Sequence, residues 1–473
     1  MWAVPAARST RRWSHDGRGS RRREVDDGAR DGRALSGRAA DAGHGGGPEV
    51  AEAGAGRVRG RNRRDSLRAV RSLRVSPQFR LLWISSVCFF GGVWTQTMIL
   101  GWMVFELTGS AFLLALFTTF RFAPLLLGPF WGMLSDRFDR RRLVILANVL
   151  ALAAIAAVAA IAFAGAAGVG VLMAAGLVLG MAQAPAQPAR AALVFDLVGR
   201  DNLSNANALN ALAMSASQMV GPAIGGALIG VLGAPAALAL SSAWYAVALT
   251  ALWLMRATTA GIAAHHESPW RMIVGGFAAI GRSPVALSVM LITLFANMLL
   301  WPVFQSFMPV FAEQILGMDA AGLGMMLTCA GVGGMIGSLT IAMLGEVRGQ
   351  GAIFAGGTIL WGVLWALFAL SREPWLSFLL LGGIGLASAP FVIYQTTLLL
   401  MVTPSRAQGR AMGVQELAIG ITPVAAAGLG IIAQSAGVAA TTFFCGLILV
   451  ACVAVVVVAV PELARYRAGD ALE

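Results

Sequence analysis

At 473 residues, 58% hydrophobic and only 12% charged, with a mean hydropathy of +0.74, the chain is too apolar for a soluble globular protein of its length. Its formal net charge of +12 is concentrated at one end: residues 1–80 carry 19 arginines against 9 acids, and the rest is close to balance. There is no lysine at all, which excludes a phosphate-cradling Gly-x-x-x-x-Gly-Lys-Ser/Thr loop and, with it, ATP as a driving force.

Residues 1–75 are rich in Arg, Gly, Ala and Asp and have almost no apolar periodicity, so they read as a disordered basic tail. Arg11-Arg12 is followed by no apolar core at signal-peptide distance, and the acids disfavour a transit peptide. Clusters such as Arg21, Arg22 and Arg23 offer contacts to anionic lipid headgroups or nucleic acid, but interspersed acids and missing aromatics weaken both readings, and no nucleic-acid partner is expected.

Beyond the tail the apolar runs count to twelve. They lie at 81–105, 111–134, 143–164, 168–186, 203–231, 235–255, 285–311, 323–344, 352–370, 375–401, 411–432 and 438–460. A run of ~20 apolar residues crosses a bilayer as a helix. The predicted fold is therefore all-α and membrane-spanning, with twelve helices in two six-helix halves at 76–256 and 285–461. A linker at 257–284 joins them, and a short tail follows at 462–473. Starting from a cytoplasmic N-terminus, alternation puts Arg137, Arg140, Arg141, Arg142, Arg200, Arg256, Arg271, Arg282, Arg348, Arg406, Arg410, Arg465 and Arg467 inside, and Arg372 outside. Arginine bias of this kind sets both termini in the cytoplasm. Gly221-Pro222 in span five is echoed by Thr422-Pro423 in span eleven, the weak internal symmetry expected of repeated halves. In the linker, Trp270, Ile273, Phe277 and Ile280 recur at helical intervals, which predicts an amphipathic helix on the inner interface.

The densest polar cluster, from Gly132 through Asp136, Arg137, Asp139, Arg140, Arg141 and Arg142, is wedged between spans two and three. Ser217-Gln-Met-Val-Gly221-Pro222-Ala-Ile-Gly225-Gly226 removes side-chain bulk at helical spacing, which permits close helix contact, and adds a proline that bends the helix. The first pattern resembles the signature turn between helices two and three of the major facilitator superfamily. The second resembles that superfamily's fifth-helix antiporter motif. Glu106-Leu-Thr-Gly-Ser110, Arg121-Phe-Ala-Pro124, Asn205-Ala-Asn-Ala-Leu209 and Arg410-Ala-Met-Gly413 resemble its twelve-helix drug and siderophore exporters, which include macrolide-efflux and enterobactin-exporter relatives.

The resemblance implies a secondary transporter that works by alternating access. Asp136 would meet the start of helix eleven, where a carboxylate is favoured by the helix dipole. Arg137 or Arg140 would pair with Asp196, and with Gly132 and Arg141 the set would latch the cytoplasmic side. Gly221, Pro222, Gly225 and Gly226 would form the hinge of the outer gate. Asp139 departs from the superfamily's usual Gly, and no arginine falls between 168 and 185, where many proton-coupled drug exporters place one in helix four.

Within the spans, Arg121 and Glu416 stand out, since a charge at mid-membrane costs about 2.5–3.5 kcal/mol on insertion scales and should face water or a partner. Both are candidates for the central path, with Glu416 as proton carrier. Gln96, Asn297, Gln305 and Gln395 are uncharged cavity candidates, and Trp94, Trp102, Phe120, Trp301, Trp361 and Tyr394 are candidates for an apolar pocket. The four cysteines sit in apolar runs and read as packing thiols. No catalytic constellation, metal site or cofactor site is expected.

The function read from this chain is proton-coupled efflux of a small amphipathic compound by a monomer in a bacterial plasma membrane. The absence of lysine with heavy Ala and Gly points to a GC-rich genome. The alternatives are a lysolipid flippase of the same fold and a non-transporting scaffold or receptor. Deleting residues 1–65 separates the last of these, because transport would survive and scaffolding would not.

Overall fold

The computed structural model describes residues 76–128, 130–131, 138–256, 269–344, 349–404 and 407–466. The basic tail, Gly132, Asp136 and Arg137 lie outside the described residues. Among the described residues, eleven helices are long and apolar enough to cross a membrane, and a twelfth apolar helix, Ala111–Leu127, is shorter. In chain order they are α1 (Pro77–Thr108), α2 (Ala111–Phe122, extended by a tighter turn over Ala123–Leu127), α3 (Arg140–Phe163), α4 (Val169–Gly199), α5 (Leu209–Leu232) and α6 (Ala234–Leu254). The linker forms α7 (Pro269–Gly281). The second set is α8 (Pro284–Ser306), α9 (Ala320–Leu344), α10 (Gln350–Leu370), α11 (Pro374–Val402), α12 (Gln408–Ala436) and α13 (Val438–Ala459).

The short Glu106-Leu-Thr-Gly-Ser segment is a complete helix stop and restart. Gly109 takes a left-handed conformation at φ 57° and returns its N–H to Phe105 O at 2.7 Å, closing α1. Ser110 then caps α2 by accepting from Leu113 N. Single glycines at positive φ, Gly233 and Gly437, turn α5 into α6 and α12 into α13, so the repeat is visible in the turns as well.

The packing repeats in the same way. Helix α5 lies between α1 and α9, and α12 lies between α8 and α2, so each proline-bearing helix touches its own half and the other one. Thr95 Oγ1 donates to Gly221 O at 3.0 Å across α1 and α5; Thr422 Oγ1 donates to Asn297 Oδ1 at 3.4 Å across α12 and α8.

Two boundaries and one helix face differ from the sequence reading. Helix α4 does not stop at residue 186: Pro185 and Pro188 are carried inside it, and the break falls at Gly199 (φ 67°). Proline is tolerated in membrane helices because neighbouring groups satisfy the freed carbonyls. The extension brings Arg190 into the helix, correcting the view that helix four has no arginine. Helix α2 loses regularity at Pro124 rather than running unbroken to residue 134. The linker helix forms, but its apolar stripe divides: Ile280 is buried, whereas Phe277 and Val274 are exposed. Gly275 and Gly276 instead press the helix against Arg410 of α12.

Candidate functional site

A cavity of about 660 Å³ lies between the two halves. Trp94, Phe117, Gln218 and Pro222 line it from the first half; Trp301, Gln305, Trp361 and Trp365 line it from the second. The aromatic wall is built edge to face, with Trp301 6.0 Å from Trp361 and Phe304 6.4 Å from Trp365. Gln305 Oε1 and the indole nitrogens of Trp361 and Trp365 are buried with no hydrogen-bond partner. An apolar wall with a few unsatisfied polar atoms is the make-up of a small-molecule site.

One end of the cavity is closed by backbone contact between halves. A Cβ at Gly226 would meet Ala320 O at 2.5 Å and Gly324 Cα at 3.0 Å; one at Gly324 would meet Pro222 O at 2.8 Å. Gly221 and Gly225 face the other way, onto Trp94 and Thr95 of α1. The Gly-Pro-Ala-Ile-Gly-Gly segment is therefore a two-sided seat, with α1 on one face and α9 on the other. Thr328 Oγ1 donates to Met219 O at 3.3 Å, one turn further along. On the opposite flank Thr119 Oγ1 of α2 donates to Pro423 O at 2.8 Å, and Ala115 meets Gly430. From this closed end the lining continues to Ala211 on α5 and Leu339 on α9. That is about 16 Å from Pro222 at 1.5 Å per residue.

At the opposite end, Arg140 Nη1 donates to both carboxylate oxygens of Asp196, at 2.8 and 3.0 Å. This pair ties α3 to α4 within the first half and does not bridge the halves. Arg141 donates to Leu252 O and Trp253 O at the C-terminus of α6, where a cation is favoured by the helix dipole. Asp139 caps α3 by accepting from Arg142 N at 3.0 Å. Replacing Arg140 with Gln leaves the Asp196 carboxylate largely buried without its cation. The expected loss is about 1–3 kcal/mol, read as a lower midpoint of thermal unfolding in detergent, with partial recovery in an Arg140→Gln, Asp196→Asn double variant.

Of the path candidates, Gln305 lines the cavity. Gln96 is buried and donates weakly to Ser241 at 3.5 Å; Asn297 donates to Thr293 O at 2.8 Å, within its own helix. Gln395 Oε1 is buried and unpaired outside the cavity lining. Neither Arg121 nor Glu416 is in the cavity lining: Glu416 is exposed on α12, and Arg121 is 1% exposed. Sequence reading missed Arg190 and Trp365. The first was lost when prolines were taken as a span boundary; the second carries no signal distinguishing it from a packing tryptophan.

Comparison with known proteins agrees with this architecture. The chain is 26% identical to the multidrug efflux pump Tap of Mycolicibacterium fortuitum, over 72% of this chain and 85% of that protein. It is 24% identical to the enterobactin exporter EntS of Shigella boydii serotype 4, over 72% and 82%, and 22% identical to the staphyloferrin A transporter of Staphylococcus aureus, over 59% and 70%. Among solved structures, a bacterial homologue of the human lysosomal transporter Spinster, in an inward-facing and occupied conformation, superposes with a TM-score of 0.66 at 15% identity, covering 83% of this chain and 98% of that one. A peptide transporter of the POT family superposes equally well, at 0.66 and 14%, covering 83% and 96%. Residues 72–470 match the family of transmembrane secretion effectors. The chain is a multi-pass transporter of the major facilitator superfamily and belongs to its transmembrane secretion effector family.

Proposed function

We propose that this protein exports a small amphipathic compound, a drug-like molecule or siderophore, across a bacterial plasma membrane by proton-coupled alternating access. The observation that carries the reading is the cavity itself. It is walled by both halves, closed at one end by the α5–α9 contact and lined along its length by apolar and aromatic groups. With the Arg140 end in the cytoplasm, the closed end is external and the structure represents the state that loads from inside. Relatives named as drug and siderophore exporters support the direction of transport. Asp136, with Gly132 and Arg137, would complete the cytoplasmic latch around the Arg140–Asp196 pair when the cycle reverses.

The test is transport in proteoliposomes under an imposed pH gradient, using a panel of dyes, macrolides and siderophores. Gradient-driven movement of at least one compound is expected, and movement indifferent to the gradient would remove the proton from the mechanism. Glu416, the acid nearest the middle of a span, is the proposed carrier. Glu416→Gln is expected to abolish the dependence on pH while leaving cargo binding intact, and unchanged pH-driven efflux in that variant would rule the carrier out.

A further inference from the structure

Beside the cavity, in the first half alone, the membrane interior holds two buried cations with no anion. Arg121 on α2 is 1% exposed and Arg190 on α4 is 3% exposed. Arg121 lies against α4, where a Cβ at Gly180 would meet its main-chain O, and Phe89, the ring beside Arg190, lies 5.8 Å from the ring of the buried Tyr245 of α6. Arg190 Nη1 donates to the hydroxyls of Ser85 and Ser86 at 3.2 and 3.1 Å, and its guanidinium lies 4.5 Å from the Phe89 ring centroid. Arg121 has a ring contact alone, 5.3 Å from Phe122. Nε and Nη1 of Arg121, and Nε and Nη2 of Arg190, are buried donors with no acceptor. Neither guanidinium is paired with a carboxylate among the described residues.

Each such charge carries an insertion penalty, and unmet buried donors add to it. Hydroxyls and ring faces do not neutralise two positive charges. A guanidinium presents a planar fork of donors matched to a carboxylate or a similar oxyanion. Phe117 connects the Arg121 helix face to the cavity. It lies one helical turn from Arg121 on the same face of α2, lines the cavity, and rests its ring on Gly176 of α4, where a Cβ would come within 2.9 Å.

We propose that Arg121 and Arg190 form an anion subsite that receives a carboxylate or equivalent oxyanion of the cargo, with Phe117 as the movable partition between subsite and cavity. This rests on the transport reading and narrows it: the preferred cargo is an amphipathic anion, its ring system against the tryptophan wall and its charge between α2 and α4.

The experiment compares 1-naphthoate with methyl 1-naphthoate, which share a ring system and differ in charge, as stabilisers of the purified protein against heat in detergent. The acid is expected to raise the unfolding midpoint and the ester to leave it unchanged. Arg121→Gln and Arg190→Gln are each expected to weaken the acid's apparent affinity by about tenfold or more. Arg→Lys variants keep the charge without the fork and should fall between; they replace the Gln variants if those fail to fold. Equal responses to acid and ester, or a charge preference that survives every one of these substitutions, overturns the proposal. Titrating chloride at constant osmolarity, with sucrose as the balance, identifies the other source of an anion. A midpoint that follows chloride and is not raised further by naphthoate assigns the site to an inorganic ion and overturns the cargo assignment. Transport of 1-naphthoate and of the cationic dye rhodamine 6G by proteoliposomes separates the two readings: naphthoate binding with transport of neither compound sinks the exporter, and transport of both at rates that the Arg121 and Arg190 variants leave alike sinks the subsite.

Discussion

Gly226→Leu is expected to stop transport in a protein that still folds. The α5–α9 seat leaves no space for a side chain: the first carbon alone would meet Ala320 O at 2.5 Å, and Ala320 O and Gly324 Cα are backbone atoms that cannot rotate away. Four carbons can be accommodated only by moving α5 and α9 apart. Overpacking of this kind costs about 1–3 kcal/mol. Here the cost falls on one conformation, because the two helices belong to different halves and need not touch when this end is open. A bias of that size shifts the balance between states about five- to 150-fold. The closed-end state becomes rare, and the cycle stalls with the external side open. A cysteine at Ala321 should then be labelled faster by a membrane-impermeant maleimide added from outside. Gly230 is the internal control. Its nearest neighbour to an added Cβ is Ala321 at an ordinary 3.6 Å, so Gly230→Ala should transport normally. Wild-type rates in Gly226→Leu would show that this contact is not part of the gate.

The fold was legible because its determinants are local. Runs of about twenty apolar residues, an αL glycine followed by a capping serine at Gly109-Ser110, and arginines between spans are each visible within a short window. The glycine segment at 221–226 was legible for the same reason, since only close backbone approach explains so little side chain at helical spacing. What the window does not contain is the rotation of each helix about its axis. Arg121 and Glu416 both read as central-path candidates because each is a charge within a span, yet Arg121 is buried off the cavity lining and Glu416 is exposed on α12. Trp94, Trp301 and Trp361 reach the cavity, whereas Trp102 and Tyr394 are buried outside its lining. Nothing in composition separates these cases. Arg190 was lost to a different error: proline was read by the rule for soluble helices, where it ends or kinks the element. In a membrane helix it does neither with certainty, and α4 runs through two of them.

The largest loss of stability is expected from adding a single methyl group at Gly385. Helices α9 and α11 approach until their backbones touch. A Cβ at Gly385 would overlap Ala330 O and lie 2.7 Å from Gly334 N; one at Gly333 would overlap Gly382 O, and one at Gly337 would come within 2.7 Å of Leu386 O. The obstacles are main-chain atoms of regular helices and one alanine Cβ, so no side chain can yield and the pair must separate along several turns. In a bilayer, where lipid is as apolar as leucine, such close packing is itself a main source of helix association. Gly385→Ala should therefore cost about 3 kcal/mol, the upper end of what overpacking does. The unfolding midpoint in detergent should drop accordingly. Cargo affinity should fall with it, because Gly334, Gly385 and Ala389 form part of the cavity wall. Gly428 of α12 has nothing within 4 Å of an added Cβ. The same substitution there removes only the entropic penalty of glycine in a helix and should be neutral or stabilising by up to about 1 kcal/mol. Similar midpoints for the two variants would mean that α9 and α11 are held by their side chains, and that the glycines merely allow the contact.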